Sequence, residues 1–379
     1  MERSVFYGKP NQSKIHSIKK IKTIKPKTMK TNIFTSAILV VAISFQGVFA
    51  QKPRVTVLAT GGTIAGAGTQ STSSAYQAAQ LPIDNLLNAV PEIHNIATLK
   101  GEQISQVGSQ DMSIDIWLKL AKRIQELFDQ NLTDAVVITH GTDTQEETAY
   151  FLNLVLKTEK PVILVGAMRS STAISADGPR NLFNAVTVAV DTASMDKGVL
   201  VVMNDKIISA RDVTKTHTTA VETFKGGGFG PVGCVEDGQV FFNYNITKKH
   251  TSATAFDIRK INALPKVEIV YGYADASPIA IQALMKNKVA GIVVAGVGNG
   301  NFNKALGEQI KLATKAGIAV VRASRVGSGR VSLNVEVNDT EFGTLVSEDL
   351  NPQKARILLM LGLAQNMNRE DLQKLFFKY

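Results

Sequence analysis

Five short stretches place reactive side chains at strand ends or in loops. They are Thr63 in "ATGGTIAG" with Tyr76 in the loop behind it, "GSQDM" (108–112), "THGTDTQEE" (139–147), "RDVTKTHTT" (211–219) and "SRVGSGRVSLNVEVND" (324–339). Loops held by regular elements are where function concentrates. A threonine hydroxyl is a poor nucleophile until a base takes its proton. Here an acid, a lysine and a tyrosine could supply that role with neither histidine nor metal, and Thr142 could position water or a reacting carbonyl. Each residue also has an ordinary reading. Asp143 or Thr144 could cap the helix that contains "EETAYFL", with Glu146 and Glu147 favourable in its first turn. Lys215 sits in a stretch without helical or strand period and reads alone as a solvated lysine. Tyr76 and Glu336 are unremarkable singly. His140 ends a buried strand and reads as a hydrogen-bonded structural residue, so it is given no catalytic role.

The glycines before Thr63 raise a nucleotide reading, which the spacing does not support. A P-loop needs G-x-x-x-x-G-K-[ST], and Ala67 and Gly68 stand where its Lys and hydroxyl belong. A dinucleotide fingerprint needs G-x-G-x-x-G opening into a helix, and Ser71 occupies the third glycine. The following "TQSTSSAYQ" reads as a mobile loop. What remains is a hydroxyl on a turn just past a strand's carboxyl end, where open α/β sheets bind ligands. An ordinary glycine turn with a solvated threonine is the alternative.

The elements that must position these residues follow an alternating pattern. Apolar runs "RVTVLAT", "DAVVITH" (134–140), "PVILVGAM" (161–168) and "GVLVVMN" (198–204) read as strands. Between them Trp117, Leu120, Ala121, Ile124 and Phe128 keep helical spacing, as does "EETAYFLNLVL". A further helix runs from Pro179–Leu182 to about Val190. Near-continuous apolar strands between helices predict a parallel sheet covered on both faces. Residues 205–265 break the rhythm and read as loops with a short hairpin around "GQVFFNY". Beyond Pro265 a second βα series begins with "KVEIVYGY", "AGIVVAG" and "GIAVVRAS" and closes on "NPQKARILLMLGLAQ". The expected division is 51–243, a linker at 244–265, and 266–379.

The 379-residue chain has a net charge of +10, and that charge is concentrated at its start. Residues 1–50 hold nine of the 42 Lys/Arg and one of the 32 acids, so the remainder, with 33 basic and 31 acidic residues, is nearly neutral. A nucleic-acid surface should be carried by the folded part, so that class loses its support. "MKTNIFTSAILVVAISFQGVFAQKP" has a basic start, an apolar core from Ile33 to Phe45, and Val48 and Ala50 before Gln51. It predicts a signal peptide within 1–50, cleaved after Ala50, with Met1 or Met29 as the start. The apolar run is shorter than the roughly 20 residues of a spanning helix. The expected product is soluble, periplasmic or secreted, and off the membrane after cleavage. Cys234, the single cysteine, permits no internal disulfide.

"ATGGTIAG" and "THGTDTQEETAYFL" resemble the two signature segments of the bacterial type II L-asparaginases, exported enzymes related to the glutaminase-asparaginases. The resemblance continues through "GEQISQVGSQDM", "KPVILVGAMRSSTAISADGPRNL", "VLVVMND" and "RDVTKTHTT" to "NPQKARILL", covering residues 54–379. It implies a two-domain α/β fold, with a larger N-terminal parallel-sheet domain and a smaller, flavodoxin-like C-terminal one. It implies Thr63 as nucleophile, Thr142, Asp143 and Lys215 as one proton-handling group, and Tyr76 on a lid loop with Thr63 and Glu336 as the other. Thr63 would attack the side-chain amide, ammonia would leave, and water would hydrolyse the ester to aspartate. Ser109, Gln110, Thr142, Asp143 and Glu336 would hold the substrate. Asp143, Gln110 and Glu336 suit its α-ammonium, and Ser109 with nearby amides its α-carboxylate. No metal or cofactor is implied. Glu336 is expected to serve a neighbouring subunit in a homotetramer built as a dimer of dimers.

Some members carry asparagine at the position of Asp275, so the preference between L-Asn and L-Gln is left open. A broad glutaminase-asparaginase is one alternative. A periplasmic amino-acid-binding protein without catalysis is another, since such proteins are also exported and built of two α/β domains. A cytosolic amidotransferase subunit of the same fold is a third, against which the signal peptide argues. A reactive hydroxyl paired with Lys and acid separates the enzyme from the binder.

Overall fold

Valines and isoleucines in unbroken runs favour strands whose two faces are both covered. The computed structural model describes residues 51–68, 71 and 77–379, so the signal segment expected within 1–50 and Tyr76 lie outside the described residues. The first sheet takes β1 (Arg54–Gly61), β2 (Thr98–Val107), β3 (Ala135–Thr139), β4 (Val162–Val165), β5 (Val199–Met203) and β6 (Lys206–Ser209). After a separate two-stranded ribbon of β7 (Thr214–Lys215) and β8 (Phe224–Lys225), β9 (Gly233–Glu236) and β10 (Gln239–Phe242) rejoin it. The order is β10-β9-β6-β5-β4-β3-β1-β2, parallel from β2 to β5 and antiparallel beyond.

The chain leaves β1 for the edge strand β2, then returns to lay β3 on the other side of β1. Strand order therefore reverses at β1/β3, and a crevice opens at the carboxyl ends of those two strands. The turns that leave β1 and β3 there carry Thr63 and Thr142. Helices α1 (Ile83–Asn88) and α2 (Ile93–Ile96) follow β1; α3 (Ile114–Asp129) follows β2; α4 (Gln145–Val155) follows β3; α5 (Gly178–Val190) follows β4. The α3–α4 face takes Leu58, Val136 and Ile138, while the opposite face takes Val57, Val137 and Ile163 with α1, α2 and α5. That division explains why the central strands have no polar face.

β2 carries no apolar run, because it is an edge strand with residues alternately open to solvent. β6 and the β9–β10 hairpin lengthen the sheet where loops with one hairpin were expected. Residues 244–265 hold no strand, yet Phe256 and Ile258 are fully buried in the core.

The second sheet is all parallel, with β11 (Val267–Tyr271), β12 (Gly291–Gly296), β13 (Ala319–Ser324) and β14 (Leu345–Val346) in that order. Helices α6 (Ile279–Lys286) and α7 (Lys304–Lys315) cover one face. After the short α8 (Asp339–Phe342), α9 (Pro352–Ala364) and α10 (Arg369–Lys378) cover the other. α9 packs on β11, β12 and β13 and also on α4, so one hydrophobic core runs through both domains. Among the described residues no helix is long and apolar enough to cross a membrane.

Candidate active site

Three loops meet with almost no space between their backbones. Gly61 and Gly62 end β1 with φ of +113° and +84°, conformations that a side chain would strain. A β-carbon on Gly62 would stand 2.3 Å from the nitrogen and Cα of Gly141, and one on Gly141 would stand 2.6 Å from Ser109 Oγ. Thr63 follows the first glycine and Thr142 the second, and both are buried. Ser109 lies in the single helical turn Ser109–Asp111 that leaves β2. Its hydroxyl oxygen accepts the Asp143 amide at 3.1 Å, and its carbonyl accepts the Thr144 hydroxyl at 2.8 Å. "GSQDM" and "THGTDT" are thereby stitched together beside Thr63.

β7 supplies the cation. Lys215 Nζ donates to Thr142 Oγ1 at 2.9 Å and to Asp143 Oδ1 at 2.6 Å. Thr144 occupies the N-cap position of α4, but no side chain caps the helix there. Asp143 points its carboxylate at Lys215 instead, so capping is not its role, and Lys215 is not a freely solvated lysine. Its side chain is 17% exposed against 59% for Asp143, which opens the pair to a cleft on one side only. As an ammonium Lys215 polarises the Thr142 hydroxyl. After losing a proton it would take one from it, with Asp143 alongside in either state. That exchange is what general-base chemistry requires.

His140 takes no part in it. Burial pushes its pKa down to about 4, so the ring is neutral near pH 7. The ring Nδ1–H donates to the Gly141 carbonyl at 2.7 Å, and Nε2 accepts the Thr148 hydroxyl at 2.9 Å. Thr148 Oγ1 in turn accepts the Trp117 indole N–H at 2.7 Å. The chain of bonds fixes the tautomer and holds the Gly141 peptide in place.

Gln110 and Glu336 are exposed, and neither bonds to Thr142, Asp143 or Lys215. Glu336 instead accepts from Asn301 Nδ2 within the C-terminal domain. Asn301 lies in the "VGNGN" turn after β12, a glycine signal that the sequence reading passed over. The two loops are fastened by a buried ion pair. Arg322 of β13 bonds Asp339 through Nε at 2.6 Å and a terminal nitrogen at 2.8 Å, and also donates to the carbonyls of Asn299 and Ser332. Asp339 accepts the Asn334 amide at 2.8 Å as well. Asp275 is exposed with φ +56°, which aspartate tolerates better than most residues. Glu146, expected only to favour the helix dipole, is buried and takes the Lys215 amide hydrogen at 2.8 Å. Among the described residues, no group of three or more His, Cys, Asp or Glu could hold a metal ion.

Comparison with known proteins shows the family of the chain. Residues 54–248 match the family model described as asparaginase, N-terminal, and residues 266–376 match the glutaminase/asparaginase C-terminal domain. The chain is 50% identical over 344 residues to L-asparaginase 2 of Escherichia coli, covering 91% of this chain and 98% of that protein. It is 52% identical over 327 residues to a probable periplasmic L-asparaginase of Haemophilus influenzae, covering 86% and 93%. A crystal structure of a probable cytoplasmic L-asparaginase from Campylobacter jejuni superposes with a TM-score of 0.84 at 49% identity, covering 86% of this chain and 100% of that one.

Proposed function

This chain belongs to the asparaginase and glutaminase family, and from that premise we propose that it is an L-asparagine amidohydrolase acting through a threonyl ester on Thr63. The observation that carries the reading is the Lys215 ammonium bonded to both Thr142 and Asp143, on the loop packed against the glycine before Thr63. Thr63 Oγ attacks the side-chain carbonyl carbon, the C–N bond breaks, and ammonia leaves with the proton given up by the hydroxyl. Water, deprotonated through the Lys215 group, then cleaves the ester to aspartate and frees Thr63. Amide N–H groups of the glycine-rich turns suit the developing oxyanion.

Ser109 is the proposed anchor of the α-carboxylate, and Asp143, Gln110 and Glu336 of the α-ammonium. Tyr76 and Glu336 are assigned to the proton path at Thr63. L-Gln is the proposed secondary substrate, in keeping with the name of the C-terminal family model. Export through the segment before Gln51 and a dimer-of-dimers assembly belong to the same proposal. Relatives are described as both periplasmic and cytoplasmic, so N-terminal sequencing of protein from cells should decide the first.

A pure amino-acid binder has no need of an ammonium held against a buried hydroxyl. The deciding experiment is ammonia release from L-Asn and L-Gln, side by side, by residues 51–379 without added metal or nucleotide. Thr63→Ala should lose turnover by orders of magnitude while still binding aspartate. Thr142→Val and Lys215→Met should each do likewise, and together cost little more than either alone, because they act as a unit. Wild-type turnover in folded Thr63→Ala would end the nucleophile assignment.

A further inference from the structure

We propose that Glu146 is a positioning residue for Lys215, and that the first turn of α9 in the C-terminal domain holds it in that role. The inference rests on the reading of Lys215 given above. β7 is only two residues long, and little regular structure surrounds it. A lysine on such a segment needs its backbone fixed before its ammonium can be.

Backbone and side chains of the segment are pinned from 211 to 215. Lys354 Nζ donates to the carbonyls of Arg211 at 2.7 Å and Val213 at 2.5 Å. Asn351 Nδ2 donates to Thr214 Oγ1 at 3.3 Å. Glu146 Oε2 accepts the Lys215 amide. The other oxygen of Glu146 accepts Asn351 Nδ2 at 3.2 Å and also Gln353 Nε2. Asn351 Oδ1 meanwhile caps α9 by accepting the Lys354 amide at 3.1 Å. The start of α9 and the seat of Lys215 are therefore one hydrogen-bonded unit.

The chemistry of position 146 follows from its neighbours. The residue is 4% exposed, and three donors converge on its two oxygens. A carboxylate offers acceptors alone, whereas an amide would turn a donor towards at least one of those donors. Glu146 stands in the first turn of α4, with Lys354 among its charged neighbours. Glu146 meets the Lys215 main chain and not its Nζ, so it acts through another residue.

The test is Glu146→Gln in the full enzyme. Its kcat for L-Asn should fall roughly tenfold to a hundredfold with KM nearly unchanged, the scale expected of a misplaced catalytic group. The Lys215 amide should exchange its hydrogen faster, and adding Glu146→Gln to Lys215→Met should cost little more. Gln353→Glu added to Glu146→Gln should recover activity, since the amide at 146 then meets an acceptor at 353. Should Glu146→Gln not fold, Gln353→Met takes its place, with a loss of several-fold in kcat expected. Wild-type kcat in the folded variant, losses that multiply fully with Lys215→Met, or no recovery from the swap would each overturn the inference. Unimpaired turnover in Lys215→Met would instead overturn the reading beneath it.

Discussion

Gly62 and Gly141 pack backbone to backbone, so closely that a methyl group on Gly62 would lie inside the Gly141 main chain, while one on Gly141 would press first on the Ser109 side chain. The contact lies where strand order reverses, between the carboxyl ends of β1 and β3. It fixes the distance between two loops whose next residues are Thr63 and Thr142. The proposed catalytic pair, drawn from distant parts of the sequence, is thus spaced by a main-chain contact.

Gly62→Ala is the direct probe of that contact. The φ of +84° and the 2.3 Å approach to backbone both oppose a methyl group, and neither can be relieved by turning a side chain. A stability loss of at least about 2 kcal/mol and near loss of turnover are expected. Gly228→Ala is the control, because nothing lies within 4 Å of its β-carbon position and its φ is not in the left-handed region. It should stay within about 0.5 kcal/mol of wild type. Urea unfolding with an ammonia-release assay reads both, and a stable, active Gly62→Ala would deny the contact its importance.

The central strands were legible because both faces are buried, and the helices α3, α4 and α5 because their apolar stripes are. β2 was not, since an edge strand needs few apolar residues. Thr63, Thr142 and Asp143 stood out by type and place. Lys215 became readable only through resemblance, for nothing local marks a lysine whose partners lie about 70 residues earlier. Glu146 and Arg322 carried no local signal either, and Asn301 carried only the glycines of its turn. Their roles depend on contacts between loops and domains, and in sequence they resemble a helix-start acid, a turn asparagine and an arginine within a strand.

His140 gives a pH dependence of known sign. Its folded-state pKa is depressed by burial to about 4 from an ordinary 6.5, so the folded protein favours the neutral ring. The stability this contributes is complete above about pH 6.5 and is lost as the pH falls towards 4, because the unfolded chain takes the proton first. The loss amounts to about 3 kcal/mol. Urea unfolding between pH 7.5 and 4 should show a steeper decline for wild type than for His140→Gln, which lacks the titrating ring. Equal slopes would mean that the ring protonates in place.

Two carboxylate–cation pairs of similar length should differ sharply in their worth. Asp339 and Arg322 are almost wholly buried, whereas Asp143 beside Lys215 is mostly exposed. Asp339→Ala strands a guanidinium in the core and should cost about 3–5 kcal/mol. Asp143→Ala should cost less than about 1 kcal/mol, because water already screens that pair. Activity should rank the other way for a given amount of folded protein, with Asp143→Ala the more damaging. Equal stability losses in the two variants would contradict this account of their burial.

Glu336 raises the question of how many chains make one site. It stands with Asn301 on loops that the Arg322–Asp339 pair fastens into the C-terminal domain, while Thr142, Asp143 and Lys215 are joined in the N-terminal one. If Glu336 completes the site of a second copy, Thr63→Ala and Glu336→Ala chains are complementary defects. A mixed dimer then holds one site with both residues intact and one site lacking both. Mixing the two inactive proteins under conditions of subunit exchange should restore activity, approaching half of wild type in isolated mixed dimers. The same mixture of Thr63→Ala with Lys215→Met should restore none, because those two residues belong to one chain's site. Full activity from a stable monomer, or no recovery despite demonstrated exchange, would place Glu336 outside any shared site.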